Sequence, residues 1–566
     1  MRRVIVASRP NPAIILPLGW AGFVTLLVVG QWFGPGYIFG TDWPGPRHLD
    51  VPASVSSSTV LETFLAVLAK FLSAEVAGKL LIFGCLFFAA LGAYRAVPVG
   101  GFFPRAAGAA IYVVNPFVYG RLHYGQMFVL AGYAALPWVA AATWRLLQAP
   151  ASRSAIWLAA ALIVLGVLDL HLLFPTALLI LATAGVRTAM ETNKSDYVRR
   201  IAPPLGLAAL LFALASAYWM VPLLLGRGYE GQVIAHTGPA ELVAYSVTDD
   251  PQLGLLVNVL GLYGFWAEDT GRFPSMKVFV PAWPIVLLAL IALAVAGVVW
   301  VLRSTPSDER RPLRGWVVGL AVAFGVAAIL EMGVASPVTE PLVRFLDTIL
   351  PPYRGMRDAG KWAALIALVY SQVIPLGAVV VLIWLREHVK PPRIDLAEAL
   401  AAGLLLALPL YYGNGLLFGM HGEVQPSDYP TGWYQADRLL AADPHPGRTL
   451  FLPWHLYLGL DFVRNTNNVV ASPAPSFFNV PIVISQDPEV AGISPPNDPE
   501  QVAISRLVAA GATGDWASEL ASRNIKYVLL AREVDWTRYG FLASQSGFQL
   551  VADDGSIALY RNLLVR

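Results

Sequence analysis

Between residues 12 and 418 the chain returns repeatedly to apolar runs of about 20 residues, and that recurrence leaves few folds open to it. A run of that length crosses roughly 30 Å of hydrocarbon as a helix, because only helices and closed barrels satisfy every backbone polar group inside a bilayer. Segmentation gives eleven spans, at 12–33, 76–94, 106–120, 125–144, 154–169, 172–186, 201–224, 278–302, 315–333, 362–385 and 396–418. The fifth and sixth come from one stretch, 154–186, which is too long for a single crossing and is interrupted by "LDLHLLFP". Charged groups are costly in hydrocarbon, so that interruption belongs at a surface. Composition agrees. Only 13% of the 566 residues are charged, against roughly twice that in soluble chains, and the mean hydropathy is +0.59. The expected fold is a polytopic α-helical membrane protein. Its basic start, "MRRVIVASRP", runs into an apolar stretch without a small-residue cleavage site, which reads as an uncleaved first span.

Lys and Arg in the connections set the orientation. With the N-terminus inside, the inner connections carry 18 Lys and Arg in 67 residues and the outer ones 10 in 128. The bias gives an N-in, C-out protein of the cell membrane. From residue 419 the apolar runs shorten. "RTLFLPW", "NNVVAS", "VPIVIS", "KYVLLA" and "FQLVADDGSIALYR" read as short strands, and 499–523 reads as a helix. The expected organisation is a transmembrane module at 1–418, with outer loops 34–75, 225–277 and 334–361, followed by an extracytoplasmic soluble α/β domain at 419–566.

On this map five polar clusters fall on the outer face. They are Asp42 and Asp50 with Arg47 and His48; Arg121 and His123; Asp169 and His171; Glu268, Asp269 and Arg272; and Arg354, Arg357, Asp358 and Lys361. The inner connections are short, basic and otherwise featureless. Each cluster also has a plainer account. Asp42 before Trp-Pro-Gly-Pro is good turn chemistry, and Asp50 before Val-Pro suits a solvated loop. Arg121 and His123 suit interfacial anchoring. Asp169 and His171 suit a structural pair at a helix break, since their i, i+2 spacing is not a helical zinc-ligand spacing. Four charges within eight residues at 354–361, beside an apolar span, favour an anion site. The single cysteine, Cys85, excludes an internal disulfide and any cysteine metal cluster. No Walker loop, HExxH, GxSxG or CxxC occurs, and a net charge of +2 does not suggest nucleic acid. "NKS" at 193–195 lies in an inner loop, which discounts it as a glycosylation site.

Several segments carry a resemblance. "NPFVYGRLHYGQMFVLAGYAALPW", "PPYRGMRDAGKW" and "HGEVQPSDYPTGWYQADRLL" followed by "RTLFLPWHLY" resemble arabinofuranosyltransferase D-like proteins, members of the GT-C superfamily of integral-membrane glycosyltransferases. The ending "NIKYVLLAREVD…DDGSIALYRN" is similar to that of YfhO-type membrane proteins of the same broad superfamily. The chain is far shorter than arabinofuranosyltransferase D, which leaves its sugar open.

The resemblance implies a polyprenyl-phosphate sugar donor, a cell-envelope glycan or glycolipid acceptor, and inversion at the anomeric carbon. Asp42, the acid after the first span, would be the general base. Arg357 and Lys361, helped by Arg354, Arg121 and His123, would neutralise the departing lipid phosphate. Asp169 and His171 would orient the acceptor or support Asp42, with Asp50, Glu268 and Asp269 as further candidates for that support. Neither metal nor other cofactor is expected, because a monophosphate leaving group manages without one. Two other functions fit the residues: a transporter or flippase for a lipid-linked saccharide, and a non-catalytic scaffold for envelope assembly. A transporter would need polar residues on both faces, and a scaffold would tolerate loss of Asp42.

Overall fold

The computed structural model describes residues 15–268, 270, 272–303, 311–490, 493 and 495–565. Within the described residues all eleven apolar segments are mainly helical. Eight helices among the described residues are long and apolar enough to cross a membrane: Ile15–Phe33, Ala74–Ala96, Met127–Gln148, Lys194–Ala215, Trp283–Arg303, Arg311–Ala335, Ala359–His388 and Arg393–Tyr412. The eleven expected spans also include two shorter helices, Ser152–Leu168 and Leu173–Ala189. These flank a break at Asp169, where the charged interruption placed it. The remaining run, 106–120, is divided. A helix at Phe102–Val113 stops, and Asn115 starts another at Pro116–Tyr124. Asn115 accepts a hydrogen bond from the Val118 N–H, and proline holds the first helical position, a start signal that overrides the apolar continuity.

The centre of the bundle is the helix Ala363–His388, buried continuously from Ala363 to Val379. It packs against Trp283–Arg303, Phe102–Val113 and Arg311–Met332. Helix Ala74–Ala96 packs on Met127–Gln148, which in turn meets Ser152–Leu168. The first long loop holds one helix that the apolar pattern does not announce, Thr59–Phe71. It buries Leu61 and Leu65 and exposes Phe64 and Phe71.

Among the described residues all strands lie after residue 447. They are β1 (Arg448–Leu452), β2 (Tyr457–Gly459), β3 (Val469–Ala471), β4 (Ile482–Val483), β5 (Ile525–Ala531), β6 (Phe548–Asp553) and β7 (Ile557–Asn562). One sheet has the order β4-β1-β5-β7-β6, parallel across β4, β1 and β5 and antiparallel beyond. β2 and β3 form a separate antiparallel pair. The strand segments expected from alternation are present, and β2 is an addition. The expected helix 499–523 is divided into Pro499–Ala510 and Trp516–Ala521. Gly511 lies between them at φ +56, a left-handed value that glycine adopts without strain.

Residues 37–47 join the bundle to this sheet region. Phe39 is fully buried among Tyr429, Trp433 and Phe462 of the C-terminal region. The Tyr429 hydroxyl donates to the carbonyls of Pro44 and Gly45 at 2.9 and 2.8 Å. Arg47 pairs with Asp437 at 2.7 Å. The loop carrying Asp42 is therefore held from both sides.

Candidate active site

Asp42 sits in a tight turn, with Gly40 and Trp43 exchanging backbone hydrogen bonds of 2.8 and 3.0 Å. The turn chemistry expected from "GTDWPGP" is present, but the carboxylate is aimed elsewhere. The Asp42 N–H donates to the Tyr124 carbonyl at 2.7 Å, where the helix Pro116–Tyr124 ends. That contact needs two glycines. Gly125 caps the helix at φ +84, and a Cβ on either Gly40 or Gly125 would run into the backbone of the other segment. The sequence pair "FGTDW" and "HYGQ" thus docks the first loop on a helix end.

The carboxylate then meets three parts of the chain. Gln126 Nε2 donates to one oxygen at 3.3 Å, and the Tyr457 hydroxyl on β2 donates to the other at 3.1 Å. Arg272 lies over the Tyr457 ring at 5.6 Å. Asp42 is open to water, yet protein surrounds it on most sides, which places it in a recess. Burial pushes the pKa of its carboxyl above the ordinary carboxylate value. The hydrogen bonds from Gln126 and Tyr457 and the charges of Arg272 and Arg121 oppose that rise without cancelling it.

Behind the recess is an ion-paired core. Arg121 donates to Gln126 Oε1 at 2.6 Å and pairs through both terminal nitrogens with Asp358. Its guanidinium lies over the Phe265 ring at 4.4 Å and is 1% exposed. Burial alone would raise the Asp358 pKa, but the Arg121 charge and hydrogen bond outweigh it and hold the carboxyl below its usual range.

Next to this core opens a cavity of about 840 Å³. Asp169, His171, Arg354, Arg357 and Lys361 line its polar side. Leu168, Phe174, Trp219 and Leu223 form an apolar wall, and Tyr229 to Thr237 of the long loop close one flank. Asp169 Oδ1 accepts from the His171 N–H at 2.6 Å and lies 3.1 Å from His171 Nδ1. Burial works against ionisation of Asp169, yet His171 and Lys361 hold its pKa below the ordinary value. Among the described residues Lys361 Nζ makes one long hydrogen bond, 3.4 Å to the Gly355 carbonyl, and the side chain lines the cavity with donors to spare. Arg357 pairs with Glu241, donates to Thr237 at 3.0 Å and packs on the Tyr245 ring at 5.3 Å. The other side of Tyr245 meets Trp266, which packs in turn on Tyr124 beside the Asp42 turn.

The sequence candidates thus separate into groups. Asp169, His171, Arg354, Arg357 and Lys361 share the cavity, and Asp42 occupies the adjoining recess. Arg121 is committed to Asp358 and faces Asp42 only through Gln126. His123 stacks on Phe273 at 4.4 Å and meets Glu423 at 3.1 Å, away from the cavity lining. Glu268 bonds within its own loop, to Ser275 and to the Gly264 N–H. Asp50 is exposed and outside the cavity lining. Asp269 lies outside the described residues. Sequence reading passed over Gln126, Tyr245 and Tyr457, although Gln126 lies inside a quoted segment.

No family model matches the chain, and no curated protein matches it. Among solved structures, the cryo-electron microscopy structure of arabinofuranosyltransferase AftD from mycobacteria superposes with a TM-score of 0.58 at 15% identity, over 96% of this chain and 40% of that one. Its R1389S mutant gives 0.60 at 16% identity, over 98% and 42%. The chain has a GT-C fold. It spans about two fifths of the length of AftD. ArnT from Cupriavidus metallidurans bound to undecaprenyl phosphate is a weaker likeness, with a TM-score of 0.43 at 12% identity, over 98% and 99%. Long apolar helices and this fold make the chain a multi-pass membrane protein.

Proposed function

We propose that the protein is an inverting glycosyltransferase. It moves a sugar from a polyprenyl-phosphate donor to a glycan or glycolipid acceptor of the cell envelope, on the extracytoplasmic face. An arabinofuranosyl unit is one candidate cargo, suggested by the AftD likeness. The observation that carries this reading is a recessed carboxylate, Asp42, beside a cavity with cations on one side and an apolar wall on the other.

In this reading the donor phosphate lies against Lys361 and Arg357, and the lipid runs along Leu168, Phe174 and Leu223. The sugar reaches past Tyr245 toward Asp42. As the acceptor oxygen attacks the anomeric carbon, its proton passes to Asp42 and the bond from that carbon to the phosphate oxygen breaks. The lipid phosphate leaves with the electron pair, and the two cations stabilise its growing charge. One displacement inverts the centre, and no metal takes part.

The test is transfer by the purified chain in proteoliposomes, from a panel of polyprenyl-phosphate sugars to an envelope glycolipid extract, with and without chelator. Consumption of one donor with an inverted product, unaffected by chelator, is expected. If no donor in the panel is consumed, the reading falls. Movement of intact donor across the bilayer would favour a flippase. Arg357→Gln removes a charge-assisted contact to the phosphate, so kcat/KM for the donor is expected to fall about 10- to 100-fold. An unchanged value would remove Arg357 from the donor site.

The pH profile tests the recess. The reaction needs the Asp42 carboxylate, so its acid limb should lie above the usual carboxylate range of about 4. Tyr457 donates to the ionised form and lowers the pKa. Tyr457→Phe should therefore move the acid limb of kcat to still higher pH. A limb that stays put, or moves down, would detach Tyr457 from the base.

A further inference from the structure

A second cavity, of about 850 Å³, lies among the helices Thr59–Phe71, Ala74–Ala96, Met127–Gln148 and Ser152–Leu168. Its walls are almost wholly apolar. Ala131, Ala135, Ala142 and Ala161 recess the surface where longer side chains would fill it. Two charged residues line it, Arg95 and Arg145. Both are exposed, and neither has an ion-pair partner among the described residues. The Arg95 guanidinium rests over the Trp138 ring at 5.6 Å, and Trp138 is itself fixed by a 3.1 Å hydrogen bond to the Phe88 carbonyl.

The chain direction places these cations. Helix Met127–Gln148 begins one residue after Gln126, which bonds Asp42, and Arg145 lies 18 residues along it. At 1.5 Å per residue that is about 27 Å, close to a full hydrocarbon thickness. Helix Ala74–Ala96 runs the same way. Lys79, near its start, donates to the Gly34 carbonyl of the first loop, and Arg95 lies near its other end. Arg95 and Arg145 therefore stand at the membrane surface opposite the Asp42 recess.

We propose that this groove binds an anionic glycerophospholipid of the leaflet on that side. Its headgroup phosphate sits between Arg95 and Arg145, and one acyl chain lies along the alanine-lined wall. Charge complementarity selects this occupant. Two guanidiniums without an ion-pair partner among the described residues, at the mouth of an apolar groove, fit a phosphate joined to a hydrocarbon chain. A lipid whose phosphate rests at Lys361, a membrane thickness away, does not reach them with that phosphate.

Native mass spectrometry of the full chain in neutral detergent tests the proposal, with phosphatidylglycerol and phosphatidylcholine supplied equally. Preferential retention of phosphatidylglycerol is expected. R95Q/R145Q should weaken that retention at least about tenfold, and R95K/R145K should largely restore it. Circular dichroism and thermal unfolding confirm that the variants are folded. If the double variant does not fold, R145Q alone, at an exposed position, should still weaken retention about threefold. Equal retention of the two lipids by the wild-type chain, or undiminished phosphatidylglycerol binding by a folded R95Q/R145Q, would overturn the site. Stoichiometric displacement of phosphatidylglycerol by a polyprenyl phosphate would also overturn it, and would give the groove to the donor's chain.

Discussion

Asp42→Asn is expected to reduce sugar transfer about 10²- to 10⁴-fold while leaving donor binding intact, because it removes the proton acceptor and leaves the cation-lined cavity unchanged. The substitution is nearly isosteric. The amide oxygen it introduces can still accept from Tyr457 or from Gln126, so the loop between Tyr124 and the sheet region should keep its place. Loss would therefore appear in kcat rather than in the donor KM. Asp50→Asn is the matched control. It removes the same charge eight residues away, at an exposed position outside the cavity lining, and transfer should change less than about threefold. Single-turnover transfer and donor binding, measured on the same preparations, separate the outcomes. Equal transfer by wild type and Asp42→Asn would take Asp42 out of the chemistry and leave it a turn residue. Loss of donor binding together with transfer would assign it to holding the loop.

Much of the membrane architecture was legible because one physical rule dominates it. A helix in hydrocarbon has to be apolar along its length, so its place shows in composition alone. The break at Asp169 was legible for the same reason, since a carboxylate marks the limit of the apolar phase. The division at Asn115 was less so. Its signal is a cap and a proline inside an apolar run, and the local start chemistry prevailed over hydropathy. At the site, residue types indicated charge but not partnership. Arg121 and His123 lie two residues apart on one helix, yet Arg121 turns toward Asp358 and His123 toward Glu423. Tyr457 was out of reach of sequence reasoning. It meets Asp42 from 415 residues along the chain, and a lone tyrosine on a short strand carries no mark of that contact.

Loss of one member of the buried Arg121–Asp358 pair is expected to be the most destabilising polar change in the site. Both side chains are almost fully excluded from water, at 1% and 8% exposure. Removing one partner leaves the other charged in a low-dielectric setting, which costs about 3–5 kcal/mol, whereas replacing both with apolar residues of similar volume often costs little. Arg121→Met should therefore lower the unfolding temperature far more than Arg121→Met/Asp358→Leu. The pair also governs Asp42 at one remove. Arg121 donates to Gln126 Oε1, and that contact turns the amide so that Nε2 points at Asp42. Without the guanidinium the amide is held only by its own 3.3 Å hydrogen bond to Asp42 among the described residues, and its grip on the carboxylate loosens. A folded Arg121→Met/Asp358→Leu variant should therefore recover stability but not kcat, remaining about tenfold slow with the donor KM unchanged. Full recovery of kcat would show that the pair only holds the fold, and a double variant as unstable as Arg121→Met would mean that the two charges do not act as a pair.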